Sequence, residues 1–158
     1  MEIPKYKLQP IKTATRGQIG LAQIKDQNHY VMIVDGGDLS DANAPLILSK
    51  DTIRIAANRP AVVPLPGSAL RSLVALRSVR FDMDHLPPGL IQIVGDREMM
   101  VVQDRDRLRS VDIRSGSVEP LTHNADLFVL SWDIVQADWN GRFESIFHFD
   151  VADRTPSP

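Results

Sequence analysis

Near the C-terminus, the dipeptide Asn140-Gly141 separates two runs in which apolar and polar residues alternate. A two-residue type I′ turn needs positive φ at both central positions, and Asn-Gly is the pair that tolerates this best. If these two residues make the turn, the pairing of the flanking strands is set. One face then carries Ile134 opposite Phe147, Trp132 opposite Phe149 and Leu130 opposite Val151, all apolar. The other face carries Asp133 opposite His148, Ser131 opposite Asp150 and Ala137 opposite Glu144, with Val135 and Ile146 as the apolar exception. A slip of one residue would mix the two faces, so turn chemistry and facial pattern support one register independently. Six of the nine aromatic residues lie between Phe128 and Phe149, which places the centre of the core under this hairpin. Each cross-strand aromatic pair adds about 0.2–1 kcal/mol over Ala–Ala.

The rest of the chain follows the same two-residue period. Leu90–Val94, Met99–Val102, Leu108–Ile113 and Val118–Leu121 are short apolar-rich runs broken at Gly95-Asp96, Asp104–Asp106 and Ser115-Gly116. Turn signals about ten residues apart favour a sandwich or barrel. Tyr30–Val34 reads as a strand ended by Asp35-Gly36-Gly37-Asp38, followed by a loop over residues 40–45. Leu46–Leu48 and Thr52–Ala57 read as one bent strand or two short ones, with Ile53 and Ile55 inward. Val79, Phe81 and Met83 alternate with Arg80, Asp82 and Asp84 as in a half-buried strand. The charged residues agree with this pattern: 16 Asp stand against 4 Glu and 13 Arg against 5 Lys. Asp disfavours helix interiors and suits turns and caps. The expected fold is mainly β, an antiparallel sandwich or barrel-like meander with one short helix. That helix is expected near residues 68–77, N-capped by Ser68, with Leu70, Leu73, Val74 and Arg77 at helical spacing. The three prolines of residues 58–68 suggest a bridge before it. The organisation expected is an arm over 1–12, one β-rich domain over 13–151 with sublobes 13–66 and 69–151, and a disordered tail over 152–158.

A chain of 158 residues buries enough surface to need no staple, and it has no cysteine. Disulfide scaffolds, Cys-ligated metals and thiol nucleophiles are therefore excluded. The net charge of −2 excludes a globally basic nucleic-acid binder. No run reaches the roughly 18 apolar residues of a membrane span, and the first ten residues lack an apolar signal core. A cytoplasmic location and no membrane contact are the expectation. Charge is segregated: residues 1–25 are net basic and residues 119–158 net acidic. The simplest arrangement lays the basic N-terminal strand beside the acidic C-terminal hairpin, and the bolder one joins subunits head to tail.

Two groups of residues could carry chemistry. Ser131, Asp133, His148 and Asp150 share the polar face of the hairpin, as a binding surface or a solvated cross-strand cluster whose histidine could respond to pH. A serine on a flat strand lacks the elbow and oxyanion donors of acyl transfer. Asp82, Asp84 and His85 could hold a hard divalent cation if the two carboxylates share a strand face. No phosphate-binding glycine loop is present, because Gly36-Gly37 is flanked by Asp35 and Asp38. Arg97 to Arg114 mixes arginines with carboxylates and reads as an ion-paired surface. The function expected is a non-catalytic protein-interaction or assembly module without cofactor, acting on a protein partner or as a homo-oligomer, with no role for nucleic acid. The alternative is a divalent-metal-dependent hydrolase or nuclease using Asp82, Asp84 and His85.

Overall fold

A computed structural model describes residues 7–36, 42–57 and 59–151 of the chain, with only the backbone of Leu76. In chain order the strands are β1 (Gln9–Pro10), β2 (Ile19–Ile24), β3 (Gln27–Asp35), β4 (Asn43–Leu48), β5 (Ile53–Ile55), β6 (Ala61–Pro64) and β7 (Ser68–Ser72). They continue as β8 (Val79–Arg80), β9 (Ile91–Val94), β10 (Arg97–Asp104), β11 (Arg107–Asp112), β12 (Val118–Pro120), β13 (Leu127–Val129), β14 (Ser131–Ala137) and β15 (Phe143–Asp150). Single 3₁₀ turns lie at Ile11–Thr13 and Leu76–Ser78. None of them could cross a membrane. The architecture is mainly β and antiparallel, as expected.

Twelve strands form one sheet in the order β1-β6-β2-β3-β4-β5-β10-β9-β13-β8, with β11 on the other edge of β10 and β12 beyond it. The expected meander is present. Val94 pairs with Arg97 across Gly95-Asp96, and Asp104 with Arg107 across Arg105-Asp106. The second sheet has three strands, β15-β14-β7. The chain changes sheets at Leu130, between β13 and β14, so the two sheets are covalently continuous at a corner. Strands that switch sheets are a common way to close a sandwich.

The larger core lies where the small sheet covers the large one. Trp132, Ile134 and Phe149 from the hairpin join Met32, Leu46, Ile91 and Met100. Trp132 is fully buried and stacks on Phe149, with centroids 4.9 Å apart and planes 16° apart. Its Nε1 donates to the Gly89 carbonyl at 2.9 Å. Gly89 has φ +97°, and a β-carbon there would run into the Phe149 ring, so glycine is required twice over. A second apolar cluster lies on the opposite face of β2, β3 and β4, where Ile11 and Ala14 cover Ala22, Ile24, Val31, Ile33 and Ile47.

Several local expectations change. Residues 68–77 are not a helix: Ser68–Ser72 is the strand β7, paired with β14, and a 3₁₀ turn follows only at Leu76–Ser78. An isolated ten-residue helix is marginal, and pairing with the hairpin that holds the core outweighs its local preference. The proline-rich stretch carries β6, which lies between β1 and β2 with Val62 and Val63 buried. Residues 43–45, expected as loop, begin β4. The strand expected across Val79–Met83 ends at Arg80, and Phe81 is 80% exposed. Within the N-terminal arm, Gln9–Pro10 pairs with β6 and Ile11 is buried. The basic N-terminal strands pair with β3 and β6 rather than with the acidic hairpin. Residues 37–41, including Gly37 and Asp38, and the tail 152–158 lie outside the described residues.

The hairpin register is borne out over its outer half: Ser131 faces Asp150, Trp132 Phe149, Asp133 His148 and Ile134 Phe147. The turn is different. Only Gly141 has positive φ, at +76°. The loop is Trp139-Asn140-Gly141, closed by Gly141 N donating to Asp138 O at 3.0 Å and Asp138 N to Arg142 O at 2.7 Å. This is the three-residue loop with glycine in the left-handed position, which shifts the pairing by one residue. Val135 therefore faces Ser145 and Ala137 faces Phe143, not Glu144. A bulge at Ile146 then restores the expected register for the remaining rungs.

Candidate functional site

The outer face of the small sheet carries a polar row across all three strands. Arg71 on β7, Asp133 on β14 and His148 on β15 occupy one rung. His148 Nδ1 lies 2.6 Å from Asp133 Oδ1, and Arg71 Nη2 lies 3.7 Å from Asp133 Oδ2. Both of its partners are half exposed, yet the Asp133 side chain retains only 11% of its accessible surface. Because solvent screens Arg71 and His148, each pair contributes about 0.2–1 kcal/mol. Ser131 and Asp150 face each other two rungs away, and Ser131 is 6% exposed. No hydrogen bond among the described residues joins Ser131 to His148. The row thus brings Asp133 and His148 together and sets Ser131 and Asp150 beside them, without linking a base to the hydroxyl. Arg71 is the member that sequence reasoning missed. Its signal is the alternation of Ala69 and Arg71 with Leu70 and Ser72, which the helical spacing of Leu70, Leu73 and Val74 obscures.

Asp82, Asp84 and His85 follow the end of β8 in irregular backbone, and all three are exposed. The common strand face that would have aligned the two carboxylates does not form. Among the described residues, no group of three or more His, Asp or Glu side chains is placed to hold a metal ion.

The mixed-charge segment is ion-paired. Arg97 bridges Asp112 and Glu119, and Arg109 lies 3.8 Å from Asp104. Burial would raise the Asp112 carboxyl. The amides of Arg114 and Ser115, at 2.9 and 3.2 Å, and the Arg97 guanidinium outweigh that and hold it below the usual carboxylate range. Hydrogen bonds to Glu119 and Asp112 in turn raise Arg97.

At the far end of the small sheet, the β14–β15 loop projects large side chains into solvent. Trp139 is 93% exposed and Phe143 63% exposed, with Arg142 exposed between them. The loop is nonetheless ordered by its own hydrogen bonds. Asp138 Oδ1 accepts from Asn140 N at 2.8 Å and from Arg142 N at 2.9 Å, in addition to the two backbone bonds that close the turn. The clustering of aromatic residues between Phe128 and Phe149 places the centre of the core under this hairpin and does not single out Trp139 and Phe143. Only the loop geometry separates Trp139 and Phe143 from Trp132 and Phe149.

No family model, no curated protein and no solved structure matches the chain. The geometry alone therefore carries the functional reading.

Proposed function

We propose that this chain is a non-catalytic β-rich interaction module that engages a protein partner through the end of the β14–β15 hairpin. The observation that carries the reading is the outward display of Trp139, Arg142 and Phe143 at a hairpin end pinned by Asp138, where Phe143 is the first residue of β15. Trp and Arg are among the residue types that dominate binding hot spots. Leaving a Trp and a Phe in water is unfavourable, by about 1.5–3 kcal/mol for a large apolar side chain when compared with burial. An already ordered loop loses little further entropy on docking. The tip is convex, so the partner that fits it offers an apolar concavity with a carboxylate for Arg142. The polar row of Arg71, Asp133 and His148 lies on the sheet face behind the tip and supports the hairpin.

A photo-crosslinking amino acid in place of Trp139, introduced in the protein's own cellular background, tests this. The expected result is a discrete adduct, either to another protein or to a second copy of the chain. Phe143→Asp should diminish it, and the same probe placed at exposed Arg77 should not produce it. A strictly monomeric protein with no adduct from position 139 would sink the reading.

A further inference from the structure

A second feature lies elsewhere, where β5 meets β10. These strands run parallel and share one register pair, Arg54 with Gln103. Beside this narrow joint is a cleft of about 350 Å³, bordered by the β2–β3 turn, the segment after β5 and the β10–β11 turn. Four cationic residues line it: Lys25, Arg54, Arg59 and Arg105. Among the described residues of that lining Asp104 is the only carboxylate, and its Oδ2 is 3.8 Å from Arg109. Asp38 and Asp41 belong to residues 37–41, which lie outside the described residues.

The cations come from ordered backbone. Lys25 and Asp26 form the two-residue turn between Ile24 and Gln27, both with positive φ. Arg105 has φ +59°, and its carbonyl accepts from Gln103 Nε2 at 2.8 Å. Arg59 Nη1 donates to the carbonyls of Ala56 and Ala57 at 3.3 and 3.0 Å. Ile24, Ile55 and Ala56 give the cleft apolar wall as well. Lys25, Arg54 and Arg105 bring like charges to one concavity, where they repel each other, and apolar walls focus their field on whatever enters. A multivalent anion relieves that repulsion, and guanidinium groups match phosphate geometry in particular. We propose that this cleft binds a small phosphorylated ligand, with Arg54 and Arg105 gripping its phosphate and Ile24 and Ile55 contacting its organic part. The site is distinct from the hairpin tip and does not depend on the interaction reading.

Titration calorimetry of the full chain with sodium pyrophosphate and with adenosine diphosphate at low salt tests the proposal. One saturable site is expected, weakened by added salt, and weakened about tenfold by either Arg54→Gln or Arg105→Gln, each the loss of a charge-assisted contact. Arg77→Gln, at an exposed position outside the cleft lining, should leave binding unchanged. The substituted side chains are exposed, so the thermal melts should show that the variants fold. Absence of binding at millimolar pyrophosphate, binding unaffected by both cleft variants, or equal loss on Arg77→Gln would overturn it. So would a short single-stranded oligonucleotide that binds tighter than either small anion and responds to the same variants, because the ligand would then be a nucleic-acid backbone.

Discussion

At the residue scale, single atoms hold the two sheets together. Gly89 shows this most sharply, since its left-handed φ and the Phe149 ring both forbid a β-carbon. Gly89→Ala is expected to destabilise the protein by about 3 kcal/mol or more, combining backbone strain with overpacking. The midpoint of urea unfolding should fall accordingly, and an unchanged midpoint would contradict the packing of Phe149 on Gly89. Asp112 sets a second expectation. Its folded-state pKa is depressed, so the unfolded chain binds the proton more readily as the pH drops. Its stabilisation is therefore fully present above the unfolded value of about 3.8 and is lost as pH falls through the lower folded value. Asp112→Asn should cost about 1 kcal/mol at neutral pH. Urea midpoints of variant and parent should then converge in strong acid. Parallel curves at all pH values would mean that the turn amides do not hold the carboxylate.

At the scale of elements, the β14–β15 hairpin shows how a correct register can come from a different turn. The facial segregation of Trp132, Ile134, Phe147 and Phe149 was legible because burial permits one alternation. The loop type was not, because Asn-Gly suits both a two-residue turn and the end of a three-residue one. The bulge at Ile146 offsets the extra loop residue, and nothing local announces it. Substitutions tell the turns apart. Gly141→Ala should cost about 1 kcal/mol, because its φ is positive while its surroundings are open. Asn140→Ala should be close to neutral, whereas a type I′ turn would make it costly too. Chemical denaturation of both variants decides between the loops, and equal losses would restore the two-residue turn. The geometry expected at 140–141 occurs instead at Lys25-Asp26, which has neither Gly nor Asn to mark it. β7 is the reverse case: its helical spacing is real, but the strand edge of the hairpin decides its conformation.

At the scale of the whole molecule, the larger core draws on both halves of the chain. Ile19, Met32 and Leu46 pack in the same cluster as Leu90, Met100 and Trp132. The chain is therefore expected to unfold as one unit despite the narrow β5–β10 joint. Calorimetry should give a single transition of about 110 kcal/mol near 60 °C, with matching van't Hoff and calorimetric enthalpies. Two resolved transitions would show that residues 13–66 and 69–151 are separate domains. Alternation, turn residues and the choice of Asp and Arg over Glu and Lys were enough to establish a β architecture, its meander and the buried face of its last hairpin. Those properties depend on side-chain period and local backbone preference, which neighbours along the chain already define. Long-range pairing settled the rest: β6 as an interior strand, Arg71 beside Asp133, Trp139 in solvent while Trp132 is buried, and four cations gathered at one cleft. Such contacts join residues far apart in sequence, and their free energy exists only once the sheets have met.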